Sequence, residues 1–221
     1  KMKKILILGG TGYIGFNLVK FLIKKNWTVT VLSLKKPKKK RHIKKVKYIK
    51  CDISKKRDVF KKIKGEFSHV VNLSGYVDHV NKKKTYNTHY KGVKNLYSFF
   101  SSRKYDLKLF LQIGSSAEYG PAKSPHTKKT KCNPKLIYGK SKLMATNFLL
   151  NKFKKKKFPV CVFRFYQIFG PYQDINRFIP IVINACKKNK SFPCSDGLQY
   201  RDFLYINDAI QAITKSLNNK E

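Results

Sequence analysis

The chain has 221 residues and a formal net charge of +39, with 50 Lys and Arg against 11 Asp and Glu. That length buries a real core, being long for one compact domain and short for two. No apolar run approaches the roughly 20 residues that span a bilayer, and no charged–apolar–small leader opens the sequence, so no membrane insertion and a cytoplasmic location are expected. Numbering begins Lys1-Met2, which suggests a fragment or a partial reading frame.

Apolar β-rich runs alternate with amphipathic stretches. Residues 5–8 read as a first strand, 12–25 as a helix with Ile14, Leu18, Phe21 and Leu22 on one face, and 29–34 as a second strand. The segment 35–45 carries eight Lys or Arg around Pro37 and reads as a solvated, mobile loop. Strands follow at 46–49, 69–73, 107–113 and 160–165, with helices at 54–63, 85–101 and 138–153. Near-continuous apolar strands in regular alternation with helices predict an α/β fold, a doubly wound parallel sheet covered on both faces. After Gly170-Pro171 the strand–helix rhythm becomes irregular. A boundary near 170 would divide a nucleotide-binding domain, 1–170, from part of a substrate lobe, 171–221.

Between the first strand and its helix lies Gly9-Gly10-Thr11-Gly12-Tyr13-Ile14-Gly15. Glycines permit a tight turn and close backbone approach to a pyrophosphate, and the helix N-terminus supplies unpaired N–H groups and positive partial charge. The end of the second strand, which reads the ribose, holds Ser33 with Lys35 and Lys36 just beyond and no acid. A basic neighbourhood accommodates a 2′-phosphate, so the cofactor is expected to be NADP or NAD, with NADP favoured.

Tyr138 and Lys142 are four apart on a predicted helix and share a face. A phenol is a poor base near neutrality, and a nearby ammonium favours its ionised form. Tyr138 could then exchange a proton with a substrate hydroxyl as hydride moves. Ser115, just past the fifth strand, could hydrogen-bond the same oxygen.

Cys51, Cys132, Cys161, Cys186 and Cys194 are odd in number and include no Cys-x-x-Cys, so neither a disulfide framework nor a metal site is expected. The positive charge raises the question of a nucleic-acid partner. Lysines are spread along the whole chain and only six of the basic residues are Arg, the side chain suited to bidentate recognition. Lys, Ile, Asn, Phe and Tyr are all abundant, as in AT-rich coding sequence, and the charge is read as compositional. His79, His89 and His126 are expected to be polar surface or loop residues.

With these motifs in order, the chain resembles the extended short-chain dehydrogenase/reductases that act on nucleotide sugars. The glycine loop matches that family's cofactor motif. Asp52-Ile53 is similar to its adenine-contacting pair, and Leu73-Ser74-Gly75, after Asn72, to its fourth-strand motif. Asn87, Gly92 and Asn95 match its Asn-x-x-x-x-Gly-x-x-Asn helix, whose first Asn supports the active site. Ser115 takes the Ser/Thr position, Tyr138 the acid/base, and Lys142 the partner that also holds the nicotinamide ribose. Arg164 to Pro171 resembles the Arg-x-x-Asn-x-[Tyr/Phe]-Gly-Pro turn, and Arg201-Asp202-Phe203 the segment whose Arg meets the substrate diphosphate. The resemblance implies substrate contacts at Ser116, Gln167, Arg177 and Arg201, a nucleotide-sugar substrate and a homodimer. Gln167 replaces a usual Asn, and Lys128 falls near a usually acidic position. Sugar 4,6-dehydratases carry Asp-Glu after the catalytic Thr, where this chain has Ser116-Ala117; the resemblance implies that Glu118, one residue too late, points elsewhere. The implied reaction is therefore hydride transfer at sugar C4 by an epimerase or 4-ketosugar reductase. A dehydratase, or a non-catalytic dinucleotide- or nucleic-acid-binding protein, is the alternative.

Overall fold

The computed structural model describes residues 3–76, 80–103 and 106–218. It divides into two compact units, Lys1–Arg164 and Phe165–Glu221. His79 lies outside the described residues.

The first unit is built on six strands: β1 (Lys4–Leu8), β2 (Thr28–Ser33), β3 (Lys47–Lys50), β4 (His69–Asn72), β5 (Leu109–Ile113) and β6 (Val160–Phe163). They form one parallel sheet in the order β3-β2-β1-β4-β5-β6. This is the doubly wound dinucleotide-binding order, in which the chain reverses direction across the sheet between β1 and β4. Ile5 to Leu8 are all fully buried, so both faces of β1 are covered. One face carries Leu6, Leu8, Leu32, Val70 and Phe110 into a core with Val59, Leu96, Phe99, Ala145 and Leu149 from the helices α2 (Lys56–Lys62), α4 (Gly92–Ser101) and α5 (Ile137–Lys156). Each such aliphatic or aromatic side chain contributes about 1.5–3 kcal/mol by leaving water. The helix α1 (Tyr13–Lys24) buries Phe16, Leu18, Val19 and Leu22.

The predicted helix at 85–101 begins earlier and is not uniform. It runs as α3 (Lys82–Tyr86), a π turn over Asn87–Lys91 and then α4. The Gly92 amide reaches back five residues to the Asn87 carbonyl. Single π turns of this kind concentrate at functional sites.

The basic segment at 35–45 is more ordered than its composition suggests. Lys39–Arg41 form a 3₁₀ turn, Arg41 is buried, and the Ile43 amide donates to the Tyr48 hydroxyl at 3.1 Å. The guanidinium stem and the Tyr48 ring give this stretch apolar surface to pack, which a count of charges hides.

In the second unit, β7 (Gln167–Phe169) pairs in parallel with β8 (Phe203–Tyr205). Helices α6 (Phe178–Lys187) and α7 (Ile206–Asn218) follow β7 and β8. Helical order therefore persists beyond residue 170, although residues 188–202 hold no helix or strand.

Candidate active site

The glycine loop sits at the C-terminal end of β1. Gly9 has φ +79°, and a Cβ there would lie 2.7 Å from the Leu73 carbonyl oxygen. A Cβ on Gly15 would strike the Gly9 carbonyl and the Gly10 backbone. Only glycine at both positions lets α1 start against the loop, with Gly12 as its N-cap and no side-chain cap over the helix N-terminus. The same packing brings Leu73 and Ser74 against the loop, while Thr11 lies partly exposed beside them.

Around this cradle the other expected cofactor residues fall at the same sheet edge. Asp52 follows β3, and its Oδ1 accepts from the Ser54 amide and hydroxyl at 3.0 and 2.7 Å. Ile53 is buried; its carbonyl accepts from Asn95 at 2.8 Å, and its side chain fills the space a Cβ on Gly92 would need. Gly92 and Asn95 thus tie α4 to the β3–α2 loop. Ser33 ends β2 with its Oγ buried and unpartnered among the described residues, and Lys35 beyond it is exposed. Asn72 orders the β4 end: its Oδ1 accepts from the Ser74 amide at 3.1 Å, and its amide donates to buried Gln112 at 2.8 Å. Gly75 abuts the His89 ring, which a Cβ would meet at 3.0 Å.

Ser115, Tyr138 and Lys142 converge at the end of β5. Ser115 caps a 3₁₀ turn, Ser116–Glu118, its Oγ accepting from the Ala117 amide at 3.2 Å. The Tyr138 hydroxyl hydrogen-bonds the Ser115 side chain. A Cβ on Gly139 would collide with the Ala117 carbonyl, so the glycine beside Tyr138 is what lets α5 pack onto the Ser115 turn. Lys142 is 5% exposed; its Nζ donates to the Ile113 carbonyl at 2.7 Å and lies 6.0 Å from the Tyr138 ring centroid. Gln112 donates to that same carbonyl at 3.1 Å, completing a chain of contacts from Ser74 through Asn72 and Gln112 to the Ile113 carbonyl on Lys142. Asn87 opens the π turn that also carries His89.

Electrostatics at this pair differ from the simple expectation. Burial is the largest influence on Tyr138 and raises its pKa above 10.0; the Ser115 hydrogen bond lowers it and the Glu118 charge raises it further. Lys142 does not pull the phenol below its ordinary value, because the ammonium is itself desolvated and committed to a carbonyl. Burial lowers the Lys142 pKa from 10.5 to about 8, with Glu118 opposing the fall.

Two residues depart from their expected places. His89 is not a surface residue: it is 4% exposed, stacks edge-on to Tyr138 at 5.1 Å between centroids, and its Nε2 meets the Tyr76 amide at 3.3 Å. Residues 87–91 turn His89 inward under the β4 loop. Glu118 is also internal. Its Oε1 accepts the Ser115 amide at 3.0 Å and its Oε2 accepts Arg164 Nε at 2.8 Å. The Ser-x-x-Glu capping-box spacing is the sequence signal that could have found it. His126 is the partly exposed loop residue expected of it; it stacks on buried Tyr119 at 4.4 Å and meets the Ala122 carbonyl through Nε2. Ser116 is partly exposed on the same turn as Ser115.

Gln167, Arg177 and Arg201 belong to the second unit and are exposed there. Gln167 starts β7 and its amide donates to the Asp202 carbonyl at 3.2 Å, next to Arg201; Arg177 is the N-cap of α6.

The strand order and glycine cradle define a Rossmann-type dinucleotide-binding protein. The NAD dependent epimerase/dehydratase family matches residues 5–221, and the chain belongs to that family. It is 26% identical to the dTDP-D-glucose 4,6-dehydratase of Dictyostelium discoideum, with 100% of this chain aligned to 56% of that protein. It is 29% identical to the putative UDP-glucose 4-epimerase of Methanocaldococcus jannaschii, with 98% of this chain on 74% of that one. The chain spans little more than half the length of the first of these relatives. Among solved structures, the dTDP-glucose 4,6-dehydratase of Bacillus anthracis in complex with NAD superposes with a TM-score of 0.85 at 23% identity, covering 99% of this chain and 73% of that one. The UDP-glucose 4-epimerase of Thermotoga maritima with UDP-glucose gives 0.86 at 20% identity, covering 97% and 73%. At these identities the structural likeness speaks for the fold.

Proposed function

We propose that the protein is an NAD(P)-dependent nucleotide-sugar epimerase or 4-ketosugar reductase, working at sugar C4. The observation that carries this reading is the convergence of Ser115, Tyr138 and Lys142 at the sheet edge that also holds the glycine cradle. The cradle fits a pyrophosphate: glycines stand where a Cβ would block approach, and no side chain caps the N-terminus of α1. A bound nicotinamide would supply or accept the hydride.

In this reading Gly9, Gly12 and Gly15, with Thr11, Tyr13 and Ile14, hold the pyrophosphate. Asp52, Ile53, Leu73, Ser74 and Gly75 flank the adenosine and ribose. Tyr138 exchanges a proton with the C4 oxygen, and Ser115 hydrogen-bonds that oxygen and orients it. Lys142 places a positive charge beneath the phenol and Asn87 supports the network. Ser33 and Lys35 lean the preference toward NADP, since no carboxylate competes for a 2′-phosphate. Ser116 in the first unit and, taken separately, Gln167, Arg177 and Arg201 in the second are the candidate contacts to the nucleotide sugar, with 171–221 read as part of a substrate lobe. Exposed Leu150 and Phe153 on α5 favour a homodimer.

The relatives include dehydratases, but the position of the acid argues for the simpler reaction. The dehydratase carboxylates are replaced by Ser116 and Ala117, and Glu118 is already shared between Ser115 and Arg164. It has no free oxygen face to draw a proton from C5.

Tyr138→Phe tests the reading. With a panel of UDP- and dTDP-hexoses and either cofactor, turnover should fall by at least about 100-fold while cofactor binding persists. Undiminished turnover in this variant would sink the assignment of Tyr138.

A further inference from the structure

We infer that Glu118 is a positioning residue of the reaction centre: it fixes the Ser115 turn against Tyr138, and its buried carboxylate balances the Lys142 ammonium. The inference deepens the proposed chemistry and rests on it for its rate readout alone.

Glu118 is the one acidic side chain among the described residues that is fully buried, at 0% exposure. Both oxygens are committed. Oε1 accepts the Ser115 amide at 3.0 Å, closing the capping box in which the Ser115 side chain caps the same turn. Oε2 accepts Arg164 Nε at 2.8 Å from the end of β6. The Arg164 side chain is 18% exposed, lies over the Tyr119 ring at 5.0 Å, and donates a further hydrogen bond to the Tyr119 side chain. The turn is therefore clamped between β5 and β6 by a charged pair, an expensive device to place in an interior. With Ser115 already the cap, a neutral Gln at position 118 would close the capping box if only the turn needed closing.

The charge has further listeners. Tyr138 faces Ser115, the His89 ring, Lys142 and Glu118. Lys142 faces the Ile113 carbonyl, Tyr138 and Glu118. Glu118 raises the pKa of both groups, opposing the loss of the Lys142 proton that burial favours. Arg164 faces Glu118, Tyr119 and, at longer range, Cys132. Glu118 thus sets the pH window in which a charged Lys142 and an ionisable Tyr138 coexist.

Glu118→Gln keeps an acceptor for the Ser115 amide and removes the charge; Glu118→Asp keeps the charge and shortens the reach. The 221-residue protein is assayed from pH 5 to about 12, a range that brackets a Tyr138 pKa raised above 10.0, with nicotinamide cofactor and the nucleotide sugars it turns over. In parallel, Tyr138 is titrated by tyrosinate absorbance, as the difference from Tyr138→Phe in the same background. For Glu118→Gln, both limbs of the kcat profile and the Tyr138 titration should move to lower pH by about 0.5–1 unit. At the optimum kcat should fall roughly tenfold with KM within about twofold of the parent. Glu118→Asp should lower kcat similarly and leave the limbs in place. A folded Glu118→Gln with parental limbs and an unmoved Tyr138 titration overturns the inference. If that variant does not fold, an unchanged kcat in Glu118→Asp overturns it instead. Absence of any turnover by the parent counts against the proposed reaction, while the Tyr138 titration still decides the role of Glu118.

Discussion

Lys142 carries the largest electrostatic cost of any single side chain in the site. Its ammonium is 5% exposed and bonded to one neutral carbonyl, and its pKa is lowered from 10.5 to about 8. At 1.36 kcal/mol per pH unit, that fall corresponds to about 3 kcal/mol of preference for the neutral form. The sign follows from proton counting. Between about pH 8 and 10.5 the unfolded chain holds the proton and the folded chain does not, so this residue's contribution to stability rises with pH across that window. Below about pH 8 the full cost is present. Lys142→Met keeps the length of the side chain and removes the charge, and should therefore stabilise the fold at pH 7 by about 1–3 kcal/mol while abolishing turnover. The gain should shrink toward zero by pH 10.5. Urea unfolding at pH 7 and pH 10 measures both; a variant less stable than the parent at pH 7 would refute the cost. The Tyr–Lys spacing was legible in the sequence, and so was the Ser at the strand end. The direction of the Tyr138 shift was not, because burial depends on the packing of α5 against β5, which no spacing of two residues reveals.

At the scale of elements, the site depends on how closely α5 approaches the β5 end. Gly139 makes that contact, with the Ala117 carbonyl where its Cβ would be. Gly139→Ala forces a shift of backbone against backbone, since no flexible side chain can give way. Overpacking of this kind costs about 1–3 kcal/mol. The displaced helix also carries Tyr138 away from Ser115, so kcat should drop at least about tenfold while cofactor affinity, set at α1, stays near the parent value. Chemical unfolding and cofactor titration separate the two effects; loss of cofactor binding in step with kcat would mean that the helix does not move as a local unit. The strands and long helices were readable because apolar runs with two-residue or helical periods leave a direct mark in the chain. The glycine loop was readable for the same kind of reason, since its spacing is dictated by local backbone approach. Gly139 and His89 acquire their roles only through partners 22 and 13 positions away, Ala117 and Tyr76, and their local sequence carries no such information; Glu118 leaves a local mark in its capping-box spacing to Ser115 but none of its pair with Arg164, 46 positions on. The π turn at Asn87–Lys91 is hidden likewise, because it differs from an α-helix by one hydrogen-bond register.

Across the whole molecule, the charge is the dominant physical property. Fifty Lys and Arg are opposed by 11 acids, which leaves a formal +39, and the described ion pairs are Lys62–Asp58 at 3.1 Å and Arg164–Glu118 at 2.8 Å. Most lysines therefore meet like charge at the surface, and self-repulsion disfavours the compact state. Salt should act in opposite senses on folding and on ligand capture. Raising NaCl from 0.1 to 1 M shortens the screening length from about 10 Å to about 3 Å. Surface repulsion is then largely removed, and the melting temperature should rise by about 3–5 °C. The same screening weakens the attraction between the basic surface and an anionic dinucleotide, so the cofactor dissociation constant should increase by about tenfold over that range. A thermal-melt series with and without cofactor reads both at once, because ligand stabilisation depends on its affinity. The buried Glu118–Arg164 pair is shielded from the ions and should contribute little to either trend. A melting temperature that is flat or falling in NaCl would show that the lysines are already neutralised by one another's spacing and bound counterions. In that case the charge of this chain would carry no stability cost to relieve, and its abundance of Lys would be a compositional trait without a folding consequence.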